Sequence, residues 1–150
     1  MVNHNLELYF PGLATSSYQI ASPPTPSYNC IAWAVAQADA WWWPDRMEQS
    51  FWPPGIPRRE DIDAFIQAFS ELGYAPCQSA DLEPRFEKIA IYVNPDGKPT
   101  HVARQLSNGT WTSKLGKLED IEHATLDSLN GSQYGSVALF LKRPIQERTS

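Results

Sequence analysis

The sequence predicts an α+β fold, because helical periodicity is concentrated in the first half of the chain and strand signals in the second. Between Arg59 and Leu72 the apolar residues Ile62, Phe65, Ile66, Phe69 and Leu72 recur at steps of three and four, and Gly73 follows as a stop. That spacing predicts an amphipathic helix. From Lys88 onward, apolar runs alternate with turn residues: Lys88–Val93, the turn Asn94-Pro95-Asp96-Gly97, His101–Leu106, the turn Ser107-Asn108-Gly109-Thr110, then Trp111–Gly116. These runs predict a three-stranded antiparallel meander.

The remaining elements follow in order. Residues 1–28 hold short apolar runs broken by Pro11-Gly12 and by Ser22-Pro23-Pro24-Thr25-Pro26, which predicts an extended arm with room for one edge strand. Asn29 is a good N-cap for the Ala-rich stretch that begins at Cys30, so a helix is expected over 30–41, stopped by Pro44. The stretch from Trp41 to Pro57 is too rich in proline for regular structure, and Trp41, Trp42, Trp43 and Trp52 are expected as anchors in the core and loop. Leu118, Ile121 and Leu126 suggest a second helix over 118–129, closed by Asn130-Gly131. Ser136–Lys142 reads as a last strand, and 145–150 as a polar tail.

A chain of 150 residues fits one domain, since single cores are typically built from about 100–200 residues. Hydrophobic residues at 42% and charged residues at 19% are ordinary for a folded globular chain, which excludes the disordered class. The net charge of −5 and the lack of a basic cluster argue against a nucleic-acid partner. No apolar run approaches membrane-spanning length and the start lacks a signal-peptide pattern, so no membrane partner is expected and the location is read as cytoplasmic. Cys30 and Cys77 are too few for a disulfide framework and lack the short spacings of a zinc site, so neither metal nor cofactor is expected.

What remains is a cysteine with distant histidines, the pattern of a thiol nucleophile with its base. A helix start lowers a thiol pKa through unpaired N–H groups, and Cys30 stands at such a start. His101, on a strand, is a rigidly held candidate base. Asn29 and the Cys30 N–H are candidates to meet a developing oxyanion. Lys114, His123 and Trp33 are further candidates for substrate contact, while Cys77 is read as structural.

The layout of Cys30 at a helix start, followed some 70 residues later by His101-Val102-Ala103-Arg104-Gln105-Leu106 and a hairpin into Trp111-Thr112-Ser113, resembles the papain-like cysteine peptidase superfamily, above all its NlpC/P60 and CHAP-like branches. That resemblance implies a papain-like fold and places Ser113 where the third catalytic residue steadies the histidine. Asn29-Cys30-Ile31-Ala32 departs from the Asp-Cys-Ser-Gly common around the NlpC/P60 nucleophile, and Ser113 replaces the usual His, Asn, Gln or Asp. Nearly the whole chain also resembles a small bacterial family of this length.

The expectation is a cysteine-dependent hydrolase or acyltransferase acting on an amide bond as peptidase, amidase or deamidase, with Cys30, His101 and Ser113 as its catalytic set. Its substrate would be a peptide, peptidoglycan-like or protein amide. The competing expectation is a catalytically inactive papain-like module that recognises a peptide or protein partner.

Overall fold

The computed structural model describes residues 4–15, 17–22, 29–34, 41–115 and 119–145. Among them the fold is α+β: helices α1 (His4–Tyr9), α2 (Cys30–Ala34) and α3 (Ile62–Ser70) accompany strands β1 (Tyr18–Ser22), β2 (Ala75–Cys77), β3 (Phe86–Val93), β4 (Pro99–Gln105), β5 (Trp111–Lys114), β6 (Asp120–His123) and β7 (Ser136–Pro144). The seven strands form one antiparallel sheet in the order β1-β6-β5-β4-β3-β7-β2. No described helix is long and apolar enough to cross a membrane.

Side chains on a strand alternate between faces, so the register of the central pair sorts the core into two layers. Ile91 faces Val102, and Tyr92 faces His101 on the next step. On one face Ile89, Ile91, Val102 and Leu141 pack with Ile31 and Ala32 of α2, Phe65 and Phe69 of α3, and Trp42 and Trp52. On the other, Ala90, Tyr92, Ala103, Trp111 and Ile121 pack with Leu6, Phe10, Leu13 and Leu129. Cys30 belongs to the first cluster, and His101, two residues from Ala103, leaves β4 toward the second.

The expected elements with clear local signals are present. Asp61 caps α3 by accepting from the Ala64 N–H at 2.8 Å, and the helix buries Phe65 and Phe69 as its spacing predicts. The Trp-rich segment forms no regular helix or strand beyond a bridge between Trp42 and Phe51. Arg58 fixes its path by donating to the Asp45 carbonyl at 2.8 Å and the Ser50 carbonyl at 3.0 Å. Trp42 and Trp52 are buried as expected of anchors.

Two expectations fail. Part of the extended arm is instead helical: His4–Tyr9 is α1 and Pro11–Thr15 a 3-10 turn, which bring Leu6, Phe10 and Leu13 onto one buried face. Tyr18–Ser22 is the edge strand, and residues 23–28 lie outside the described ones. The helix expected over 118–129 is strand β6 followed by a 3-10 turn at Leu126–Leu129. Strand β6 lies between β1 and β5, with Asp120, Ile121 and His123 all buried. Polar residues on both faces blur the alternation by which a strand is recognised. Residues 116–118 lie outside the described ones, as do 35–40 of the helix expected over 30–41 and 146–150 of the tail.

Candidate functional site

Helix α2 packs against β4 and β5 and delivers Cys30 to a cavity of about 310 Å³ lined by Asn29, Cys30, Trp41, Trp43, Thr100 and Tyr134. Cys30 is only 6% exposed. Burial pushes its pKa up to about 11, overriding the backbone N–H groups of Val102, Ile31 and Cys30 and the positive charge of Lys114. The expectation that a helix start would lower this pKa is therefore corrected: desolvation outweighs every stabilising contact of the thiolate.

His101 is completely buried, with its ring stacked on Tyr134 at 4.2 Å and 7° between planes. Tyr92 flanks it at 5.2 Å. Neither imidazole nitrogen has a hydrogen-bond partner among the described residues, so His101 engages neither Cys30 nor Ser113. Burial, and secondarily His123, holds its pKa well below the ordinary imidazole range, leaving it neutral at pH 7.

Ser113, expected to steady His101, bonds to His123 instead, with Oγ 2.8 Å from Nε2. The other ring nitrogen, Nδ1, lies 2.8 Å from the Thr125 carbonyl. A carbonyl only accepts, so Nδ1 carries the proton, Nε2 is the acceptor and the Ser113 hydroxyl donates. Burial pushes His123 down to about 4, consistent with this neutral tautomer. His123 lies on β6, opposite Trp111, rather than on the expected helix, and that pairing places it beside Ser113.

Lys114 lies on the other face from Ser113, with Val102 and Cys30. It is fully buried; burial lowers its pKa, while Asp120, opposite it on β6, together with Cys30 and Glu119, acts to raise it. Those neighbours engage the charge of a side chain expected to contact substrate. The sheet thus separates Cys30, Lys114 and Asp120 from His101, Ser113 and His123. Asn29 is also committed: its Oδ1 accepts from the Ala32 N–H at 3.3 Å and the Trp42 N–H at 2.9 Å, and its Nδ2 donates to the Trp42 carbonyl. Its amide therefore caps α2 and clamps the Trp-rich segment instead of facing an oxyanion. Asn29→Ala strips a buried cap and two partners, and chemical denaturation is expected to show a loss of about 2–3 kcal/mol. A loss under about 0.5 kcal/mol would show the clamp to be inert.

The backbone of Trp33 is in α2, and its side chain lies outside the described residues. Cys77 is half-buried and donates weakly to the Ser79 carbonyl at 3.8 Å, in keeping with a structural role. No cluster of three or more His, Cys, Asp or Glu able to hold a metal occurs among the described residues. Tyr134, which walls the Cys30 cavity and stacks on His101, is not among the residues singled out from the sequence. Its signal was Gly131 and Gly135, two glycines at φ 146° and 75° that bracket a tight turn around one aromatic ring.

No curated protein and no solved structure matches the chain. The model of one family, described as a domain of unknown function (DUF7689), matches residues 19–142, and the chain belongs to that family.

Proposed function

We propose a cysteine-dependent hydrolase or acyltransferase of papain-like architecture, acting on an amide bond and resting in a closed state. The observation that carries this reading is the Cys30 cavity with, behind its Tyr134 wall, a fully buried imidazole whose two nitrogens are uncommitted. An unpaired buried polar group costs about 1–3 kcal/mol, which a fold retains at a site that uses the group. In the reaction Tyr134 leaves its stack as substrate enters. Cys30 and His101 leave opposite faces of the sheet, and Tyr134 touches both the cavity and the ring, so the space it vacates at the end of β4 is the route between them. The Cys30 sulfur attacks the carbonyl, His101 takes the thiol proton by that route and returns it to the departing amine, and water releases the acyl group.

A catalytically inactive module that binds a peptide or protein partner is the second reading, favoured by one observation. With burial raising the thiol to about 11 and holding the imidazole well below its ordinary range, moving the proton from Cys30 to His101 is uphill in the resting state. Labelling followed by mass spectrometry separates the two, with half-buried Cys77 as internal control. For an enzyme, iodoacetamide labels Cys30 more slowly than Cys77. A peptidyl electrophile that fills the cavity reverses the order, and His101→Ala abolishes the reversal. Loss of the reversal in Lys114→Met but not in His101→Ala would transfer the base role to Lys114. No reversal with any peptidyl electrophile leaves the binding module.

A further inference from the structure

The residue before Cys30 holds the Trp-rich segment by its backbone. Asn29 accepts from the Trp42 N–H at 2.9 Å and donates to the Trp42 carbonyl, so one amide fixes both backbone groups of Trp42 beside the thiol. Trp42 is buried in the core, and Phe51 secures its two neighbours by accepting from the Trp43 N–H at 3.0 Å and donating to the Trp41 carbonyl at 2.9 Å. Trp41 and Trp43 are thereby set in place relative to Cys30, and both line its cavity. The Trp43 ring is further held edge-on to Phe65, with 5.8 Å between centroids and 80° between planes. We infer that the amide cleaved at Cys30 carries a neutral aromatic side chain on its acyl side, bound against Trp41 and Trp43. The inference rests on the cysteine-hydrolase reading of this cavity and names its substrate class.

The acyl side is assigned because the acyl group stays on the sulfur after the amine departs, so the walls around Cys30 hold it through both steps. At about 310 Å³ the cavity is near the lower end of the roughly 300–1,000 Å³ typical of small-molecule sites, room for one large side chain rather than an extended strand of substrate.

Charge narrows the class. None of the lining residues, Asn29, Cys30, Trp41, Trp43, Thr100 and Tyr134, is an acid or a base of ordinary charge at pH 7. The Asn29 amide is spent on Ala32 and Trp42, and the Thr100 hydroxyl donates to the Tyr134 carbonyl at 2.5 Å. A carboxylate there would lose its hydration and face the electron-rich sides of the indoles. A cation suits the ring faces, but no acidic side chain lines the cavity, and the charge acting on Cys30 is the positive one of Lys114, on the same face of the sheet. Among neutral side chains an aromatic ring gains most, since ring-to-ring attraction is added to the burial that an aliphatic chain has alone.

N-acetylated aminoacyl fluoromethyl ketones of phenylalanine, leucine, glycine, glutamate and lysine place one side chain at a time beside the thiol, which displaces fluoride and forms a thioether. Their rates of reaction with Cys30 in the full chain are read by mass spectrometry, with Cys77 as control. The phenylalanine compound is expected to react at least about tenfold faster than the glycine compound and about threefold faster than the leucine one, with the glutamate and lysine compounds no faster than glycine. Trp41→Leu and Trp43→Leu are each expected to bring the phenylalanine-to-leucine ratio to about one, and Trp41→Phe to keep it above one. Trp43 packs on Phe65, so Trp41→Leu carries the test if Trp43→Leu fails to fold. A leucine, glutamate or lysine compound as fast as the phenylalanine one, or a ratio that survives Trp41→Leu, overturns the substrate class while the hydrolase reading stands. Labelling of Cys30 no faster than Cys77 by all five compounds overturns the hydrolase reading and this inference with it.

Discussion

Replacing Gly135 with alanine is expected to destabilise the protein by about 3–4 kcal/mol, the sum of backbone strain and a steric overlap that the surroundings cannot relieve. Gly135 has φ 75°, where an L residue is strained, and it pairs with Gly131 through two backbone hydrogen bonds of 2.8 and 3.0 Å. A Cβ built there meets the Val93 carbonyl oxygen at 1.9 Å, and Val93 ends β3 and pairs with Ser136 of β7. Neither backbone can retreat without opening that pairing. Gly97 is the control, because it has φ 80° with nothing within 4 Å of its Cβ, so Gly97→Ala carries the strain alone, about 1 kcal/mol. Chemical denaturation of the two variants isolates the overlap, and equal losses would refute it. The Gly135 turn also carries Tyr134, whose carbonyl accepts from Thr100 and whose ring covers His101. The same substitution is therefore expected to displace that ring and to change the rate at which Cys30 is labelled.

What the sequence made legible and what it hid divide along physical lines. The α3 helix was readable because Ile62, Phe65, Ile66 and Phe69 repeat with a period that only a helix satisfies, and β3, β4 and β5 because Asn94–Gly97 and Asn108-Gly109 are turns by their own chemistry. Strand β6 was hidden because it is interior and polar: Asp120 and His123 are buried beside Lys114 and Ser113 and look like the solvated side of a helix until those partners are known. Helix α1 was hidden by the proline that follows it, although Leu6, Phe10 and Leu13 carry the spacing. At the candidate site the sequence named residues that do gather around α2, β4, β5 and β6, but their sorting onto two sheet faces depends on where α2 docks. That is a long-range packing outcome that strand spacing does not encode. Ser113 illustrates the limit: its place on the hairpin was foreseen, and its partner came from the neighbouring strand.

Acid is expected to unfold this protein through its buried histidines before its carboxylates titrate. His101 and His123 are both held below their unfolded pKa by burial, His123 at about 4. For a base with a depressed folded pKa, the unfolded chain takes up the proton first as pH falls, so the native state is favoured fully above about pH 6.5 and loses stability below it. Each histidine contributes a slope approaching about 1.4 kcal/mol per pH unit, which amounts to roughly 3 kcal/mol for the pair between pH 6.5 and 5. Asp45, held down by the Gln49 N–H, and Glu83, held down by Lys88, act in the same sense. Their loss begins near the unfolded carboxylate pKa of about 4 and falls outside that window. Urea unfolding across pH 5–7 reads the slope directly, and His123→Gln should reduce it by half while also removing the bond from Ser113. Imidazole resonances that remain in the neutral form at pH 5.5 in the folded protein give an independent check. A folded-state titration near pH 6.5 for the His101 ring would show that solvent reaches it, and with it that the closed wall formed by Tyr134 over His101 does not hold in solution.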